Sequence, residues 1–143
     1  MSVIQREIII NTPVERAFQF VSDTPNLVEV WPSLSHIGDF SRDERGMGSF
    51  TYTYQMAGFK YSGTNRDVEY IPNKKIVTKS EGGMAATVTW EFEPVPDGVH
   101  ITFTGDYDVN IPLVGKVISD RIAALNAVEV GILLQNMKDK LEK

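Results

Sequence analysis

The feature that most constrains this chain is an apolar repeat near its end, from Pro112 to Leu141. Apolar residues recur there at spacings of three and four, the period of a helix with one buried face; they are Val114, Val117, Ile118, Ile122, Leu125, Val128, Ile132, Leu133 and Met137. Polar residues, including Asn126 and Glu129, fall on the other side and are expected to face water. Asn110 is the predicted N-cap, and Pro112 suits the first turn. A helix roughly 45 Å long needs a broad surface to cover its apolar face.

The middle of the chain can supply that surface. From Ser33 to Asn110 apolar and polar residues alternate, as in β-strands, most clearly in the row Phe50, Tyr52, Tyr54 and Met56. Short breaks such as Ala57-Gly58 and Gly82-Gly83 separate about six segments, so successive strands are expected to pair antiparallel. Val3 to Ile10 is a further predicted strand. Each strand has one apolar face, which indicates a sheet covered on one side.

Two short helices are predicted between the first strand and the rest. Thr12-Pro13-Val14-Glu15 has the spacing of a capping box with proline at the first helical position. A second helix is expected from Asp23-Thr24-Pro25 to Trp31, which precedes Pro32 and is therefore disfavoured in helical geometry. The order of elements is strand, two short helices, about six strands and one long helix.

Composition sets the broad class. A length of 143 residues predicts one domain, residues 1–143. The net charge is -5 and no Lys/Arg cluster stands out, so no nucleic acid or basic membrane patch is expected. The chain has no cysteine, which excludes disulfides and thiolate chemistry, and with only His36 and His100 no metal site or other cofactor is expected. No apolar run approaches the roughly 18–20 residues of a membrane span, and the charged start lacks a signal-peptide core, so a cytoplasmic protein is predicted.

The whole layout resembles the helix-grip fold of the START-like, or SRPBCC, superfamily, and most of all its polyketide cyclase/dehydrase and lipid-transport branch. The resemblance is carried by segments spread over nearly the whole chain, in order Ile10–Phe18, Ser22–Pro25 with Trp31-Pro32, Asp67–Pro72, Trp90–Pro94, Gly98–Phe103 and Leu134–Glu142. It implies an α+β fold in which a curved antiparallel sheet of about seven strands wraps around the long C-terminal helix. Function does not follow from the fold, because the superfamily spans carriers, cyclases, oxygenase domains and stress proteins.

The resemblance also implies a cavity between the sheet and the long helix for a lipid, polyketide or isoprenoid-like ligand. Aromatic strand residues support it, since rigid rings can frame a void and tyrosine hydroxyls can supply its polar contacts. The candidate ligand-binding residues are Trp31, Tyr52, Tyr54, Tyr61, Arg66, Trp90, Phe92, Phe103, Tyr107, Ile118, Ile122 and Leu125. The alternative is that these side chains simply fill the core.

Several positions have two interpretations. Trp31 is either a gate at the cavity mouth or an anchoring core residue. Arg66 faces inward, towards an anionic partner or headgroup, if its strand is regular, and a bulge would turn it outward. His36 is in phase with apolar neighbours, whereas His100 is not. Gly131 interrupts the long helix and indicates either close approach of the sheet or a kink. An aspartate at Leu125 is expected to unfold the protein, because it would bury an unpaired charge.

Three functions remain open on the sequence. The favoured one is a module that binds or transports a small hydrophobic molecule. The second is a polyketide cyclase/dehydratase-type enzyme, which predicts converging ionisable groups with perturbed pKa values, although the chain has no familiar catalytic motif. The third is an accessory protein acting on a partner or membrane, similar to the accessory proteins of carbon-monoxide dehydrogenase or to ubiquinone-binding relatives, which predicts an exposed apolar patch. The oligomeric state is not predicted.

Overall fold

The computed structural model describes residues 2–56, 58–81, 85–108 and 115–143, and omits the side chains of Ser2, Phe59, Tyr61, Asp108, Ile118 and Ser119. The elements follow the predicted order. They are β1 (Ser2–Ile10), α1 (Val14–Ser22), a 3₁₀ helix (Thr24–Glu29), β2 (Leu34–Arg42), β3 (Gly48–Met56), β4 (Phe59–Ile71), β5 (Lys75–Glu81), β6 (Ala85–Val95), β7 (Gly98–Asp108) and α2 (Lys116–Leu141).

The strands form a 7-stranded antiparallel sheet in the order β1-β7-β6-β5-β4-β3-β2. Strands β2 to β7 are consecutive neighbours, which is the meander that the short connections predicted, and β1 closes the order beside β7. The predicted helix-grip architecture is therefore confirmed. Strand β4 carries an irregularity between Asp67 and Glu69, and a bulge of this kind changes which side chains face the core.

Helix α1 packs one end of the concave sheet. Its buried residues include Ala17, Phe18 and Val21, and the Phe18 ring meets Tyr70 and Phe92 edge-on at centroid distances of 5.4 and 5.1 Å. The predicted capping box is wrong in detail, because Pro13 is the N-cap and no side chain caps the helix. The second short helix is a 3₁₀ helix rather than an α-helix.

Helix α2 covers the sheet, but with a different face from the one predicted. Asn126 and Glu129 are only 1% and 6% exposed, whereas Leu125 is 38% exposed. The apolar residues that α2 buries are Ile122, Val130, Leu133, Leu134, Met137 and Leu141, and those it exposes are Val117, Leu125, Val128 and Ile132. Apolar residues lie on both sides of this helix, so hydrophobicity alone assigned the wrong face. Buried polar groups are tolerated where they have hydrogen-bond partners, and both of these residues have one.

The predicted start of this helix is also wrong. Gly115 is extended and the helix begins at Lys116, while the expected cap Asn110 and the expected first-turn Pro112 lie outside the described residues. Of the predicted turns, Gly58 has the positive φ of 82° that favours glycine; Ala57 and Gly82-Gly83 are outside the described part. Within the described ranges, no helix combines the length and apolar character needed to cross a bilayer.

Candidate functional site

Two small compartments lie inside the protein between the sheet and the helices. The first has about 50 Å³ of free space for water-sized molecules and the second about 60 Å³. The first is lined by Val21, Thr24, Leu27, Trp31, Phe50, Asn65, Asp67, Ile76, Thr78, Ser80, Val88 and Trp90. The second is lined by Trp31, Tyr52, Tyr54, Asn65, Ser80, Ala86, Val88, Tyr107 and Asn126. Because four residues line both, the compartments are neighbours in one interior cavity.

Trp31 is the largest of the residues shared by the two compartments. It follows the 3₁₀ helix, and its backbone N–H donates to the Leu27 carbonyl at 2.9 Å. Its ring packs edge-on against Tyr54 and Phe103, at centroid distances of 6.4 and 5.8 Å. Trp31 is therefore both a packed anchor and part of the wall that the two compartments share.

A buried polar cluster stands where α2 meets the second compartment. The Tyr54 hydroxyl donates to Glu129 Oε1 at 2.7 Å, and Asn126 Oδ1 lies 3.2 Å from the same hydroxyl. The Ser33 hydroxyl donates to the other carboxylate oxygen of Glu129. Glu129 has no ion-pair partner among the described residues. Burial, and then the nearby Glu129 charge, raise the pKa of Tyr54 far above its ordinary range, so this phenol stays neutral.

Two further polar atoms in the cavity wall lack hydrogen-bond partners. They are Trp31 Nε1 and the Tyr107 hydroxyl, both buried and both unpartnered within the described part of the chain. Asn126 lies close to the Tyr107 hydroxyl without making a hydrogen bond of normal geometry. Burial raises the pKa of Tyr107 above its ordinary range, so the group stays a hydroxyl and keeps its proton for donation.

Gly105 makes room for Tyr107 on the same face of β7. A Cβ atom at Gly105 would lie 2.5 Å from Tyr107 Cε2 and 2.7 Å from the Tyr107 hydroxyl. No side chain fits at that distance, so the glycine lets the Tyr107 ring lie over the strand. A glycine inside an alternating strand is the sequence signal of such close approach.

The polar end of the first compartment is fully satisfied. Asp67 is buried and accepts hydrogen bonds from Arg42 Nη1 at 3.0 Å, the Gly48 backbone at 2.9 Å and the Thr78 hydroxyl at 2.9 Å. The Arg42 guanidinium also lies over the Tyr70 ring, 4.7 Å from its centroid. These contacts join β2, β3, β4 and β5, so Asp67 and Arg42 are structural rather than free to bind a ligand.

The predicted site residues are therefore placed in different environments. Trp31, Tyr52, Tyr54, Trp90 and Tyr107 line the cavity. Phe92, Phe103 and Ile122 are buried in the core outside its lining. The side chains of Tyr61 and Ile118 lie outside the described part.

Two of the predicted site residues do not face the cavity. The expectation for Arg66 is wrong, because its side chain is exposed and pairs with Glu81 on the outer surface; the bulge after Asp67 separates its face from that of Tyr70. The expectation for Leu125 is wrong because α2 is rotated relative to the prediction. His36 is exposed as well.

Sequence reasoning missed other residues of the cavity wall and its polar cluster. They are Ser33, Asn65, Ser80, Val88, Asn126 and Glu129. The one signal for the last two is their spacing of three on a helix, which matches that of buried neighbours such as Val130 and Leu133. Among the side chains described, no group of three or more His, Cys, Asp or Glu could hold a metal ion.

Comparisons with known proteins match the chain to one family. The model of the family described as polyketide cyclase / dehydrase and lipid transport matches residues 1–142. No curated protein matches the chain.

Solved structures give the same fold at low sequence identity. TTHA0849 from Thermus thermophilus has a TM-score of 0.84 at 20% identity, with 98% of this chain and 97% of that one covered. A START superfamily protein from Mycobacterium smegmatis has a TM-score of 0.78 at 15% identity, covering 98% and 97%. The Zhui aromatase/cyclase from Streptomyces sp. R1128 has a TM-score of 0.77 at 11% identity, covering 99% and 93%. At these identities the likeness extends to the fold alone.

Proposed function

Because the chain belongs to the polyketide cyclase/dehydrase and lipid transport family, we propose that it binds a small, largely apolar molecule that carries a hydrogen-bond-accepting oxygen. The binding site is the two-compartment cavity whose walls include Trp31, Tyr54 and Tyr107. The structural neighbours with the same fold include an aromatase/cyclase, which is consistent with a ligand of this class.

The observation that carries the proposal is the pair of unpartnered donors in the cavity wall. Burying a polar group without a hydrogen-bond partner costs about 1–3 kcal/mol, so native structures rarely leave one unpaired. Here the Trp31 N–H and the Tyr107 hydroxyl are both unpaired within the described residues, and the apolar side chains of Val88 and Ala86 lie in the same wall. A carbonyl or ether oxygen on an apolar ligand would satisfy a donor that the protein leaves free.

The small compartments set a condition on binding. Ligand pockets for drug-sized molecules have volumes of about 300–1,000 Å³, well above the free space of either compartment. A ligand that spans both must displace part of the wall they share, and Trp31 is the largest side chain there. The gate interpretation of Trp31 is thus part of the proposal: rotation of its ring would join the two compartments.

Native mass spectrometry of the protein purified from its own host tests ligand binding. The expected result is an added mass that is lost on denaturation. V88F is expected to remove that added mass, because Val88 lines both compartments and a phenyl ring would fill them. T89F is the matched control, since the next residue on a strand points to the opposite face. A bare protein mass, or equal ligand in both variants, would contradict the proposal.

A second candidate function is supported by the Tyr54–Glu129 pair. A buried carboxylate behind a cavity-lining phenol is the type of arrangement that removes a proton next to a carbonyl group, as a cyclase or dehydratase requires. Exchange of the methyl hydrogens of acetophenone for deuterium in D₂O, followed by NMR, measures such proton removal directly. An enzyme of this type is expected to accelerate the exchange and E129Q to abolish the acceleration; no acceleration by the unmodified protein would favour simple binding.

A further inference from the structure

The outward side of α2 is apolar although nothing in the described structure covers it. We call the residues Ala124, Leu125, Val128, Gly131 and Ile132 the outer stripe. All five are exposed, and Val128 is 65% exposed. The opposite side of the same helix packs on the protein core, so α2 is apolar on both sides. A helix that is apolar all round is typically buried all round.

Gly131 has no role within the described part of its own chain. It lies in the interior of α2, where glycine is the least favourable residue after proline. A Cβ atom at this position would meet no other atom within 4 Å, so neither close approach of the sheet nor crowding explains the glycine. The open space lies beside Val128 and Ile132, in the outer stripe. A glycine there leaves a gap into which a side chain of another molecule fits.

We propose that the outer stripe is the interface of a homodimer in which two α2 helices pack antiparallel, with the two-fold axis next to Val128. A two-fold interface must be self-complementary. In this arrangement Leu125 of one copy faces Gly131 of the other, because each is three residues from Val128. Ile132 likewise faces Ala124, since each is four residues from the axis. Both pairs join a large side chain to a small one, which lets two helices approach closely.

The polar residues that flank the stripe fit the same register. Arg121 lies seven residues before Val128 and Gln135 seven residues after it, so the antiparallel arrangement places them opposite each other. Asp139 is one turn beyond Gln135 and accepts a hydrogen bond from that side chain at 2.9 Å. Arg121 has no ion-pair partner in the described part of the chain. The dimer therefore gives this arginine an amide and a carboxylate on the other copy.

This arrangement favours a second copy over an unrelated partner. Large and small residues are placed symmetrically about one position, which a two-fold interface requires and a different protein does not. The stripe also lies on the side of α2 away from Asn126 and Glu129, so the interface is independent of the proposed ligand site.

Sedimentation equilibrium of the full chain over a wide concentration range tests the dimer. The unmodified protein is expected to form dimers. V128K places two lysines together at the axis and is expected to weaken association by at least about tenfold, with an unchanged melting temperature when measured on dilute protein. V3K is the matched control, because Val3 on β1 is also 65% exposed and gains the same charge; it is expected to dimerise normally. A monomer at every concentration, or a V128K dimer of normal affinity, would overturn the proposal.

Cross-linking tests the register. The chain has no cysteine, so V128C introduces a single thiol per copy, and a two-fold axis at this position brings the two thiols together. Mild oxidation is expected to convert V128C into a covalent dimer on a non-reducing gel and to leave V3C monomeric. Failure of V128C to link in a protein that does dimerise would overturn the antiparallel arrangement.

Discussion

The Tyr54 hydroxyl lies 2.7 Å from Glu129 Oε1 and donates a hydrogen bond to it, which joins the middle of strand β3 to the middle of helix α2. The same carboxylate accepts a hydrogen bond from Ser33, just before β2. One buried acid thus fixes the distance between helix and sheet where the cavity lies. Its neighbour Trp31 belongs to the segment that Ser33 ends, so the cluster also holds the shared wall of the two compartments.

Y54F is expected to destabilise the protein more than Y70F does. Loss of the Tyr54 hydroxyl removes a donor from the buried Glu129 carboxylate, and hydrogen bonds to charged groups contribute about 1.5–3 kcal/mol. The Tyr70 hydroxyl shares a neutral hydrogen bond of 2.8 Å with Ser22, for which about 1 kcal/mol is expected. Urea unfolding measures both free energies. In a double-mutant cycle, Y54F and E129Q are expected to be non-additive; additive effects would mean that the two side chains do not interact in solution.

Stability is expected to fall at alkaline pH because of the buried tyrosines. The pKa values of Tyr54 and Tyr107 are both raised above the ordinary 10.0, first by burial. The folded state therefore holds these protons when the unfolded chain releases them, so the stabilisation is complete below about pH 10 and is lost as the pH rises above it. The measurement is the free energy of unfolding in urea between roughly pH 8 and pH 11.

Y107F separates one of these two tyrosines from the other. It is expected to reduce the alkaline loss of stability, because one raised pKa is removed. At neutral pH it is expected to cost little or to stabilise, since the hydroxyl it removes is buried without a partner among the described residues. A large loss of stability at neutral pH would show that this hydroxyl is hydrogen-bonded in solution.

The architecture was predictable from the sequence because it rests on local patterns. The alternation in β3 and the three-and-four spacing in α2 each follow from the geometry of one element. The buried face of α2 was not predictable, because it depends on partners far away in the chain: Glu129 is buried by its contact with Tyr54, 75 residues earlier. A pattern of hydrophobicity treats every glutamate as solvent-exposed.

The candidate site shows the same division. Tyr52, Tyr54 and Tyr107 line the cavity because strict alternation puts them on the concave face. Arg66 does not, since a bulge in β4 changes the alternation, and nothing in the local sequence marks a bulge there. The rotation of α2 also changes one expected outcome: L125D is now expected to leave the folded monomer intact, because Leu125 is exposed.

The two free donors in the cavity wall are expected to distinguish a ketone from a hydrocarbon of the same shape. Acetophenone offers an accepting oxygen and isopropylbenzene does not. W31F and Y107F each remove one donor and keep an aromatic ring, so each is expected to weaken acetophenone binding by about 2- to 10-fold, the equivalent of one hydrogen bond. Isopropylbenzene binding, measured in the same calorimetric titration, is expected to change little. Equal effects on both compounds would show that the variants alter cavity shape rather than hydrogen bonding.

Substitutions at Gly131 and Ala124 are expected to move stability and association in opposite directions. G131A adds a helix-favouring methyl group in open space, so it is expected to stabilise the dilute monomer by up to about 1 kcal/mol. The same methyl group would occupy the gap that receives Leu125 of the second copy, and dimerisation is expected to weaken. A124G is the matched control: it is expected to destabilise the monomer by about 1 kcal/mol while leaving the gap opposite Ile132 open. Thermal unfolding of dilute protein and sedimentation at high concentration measure the two effects separately. If G131A strengthens association along with the helix, the gap at Gly131 is not part of an interface.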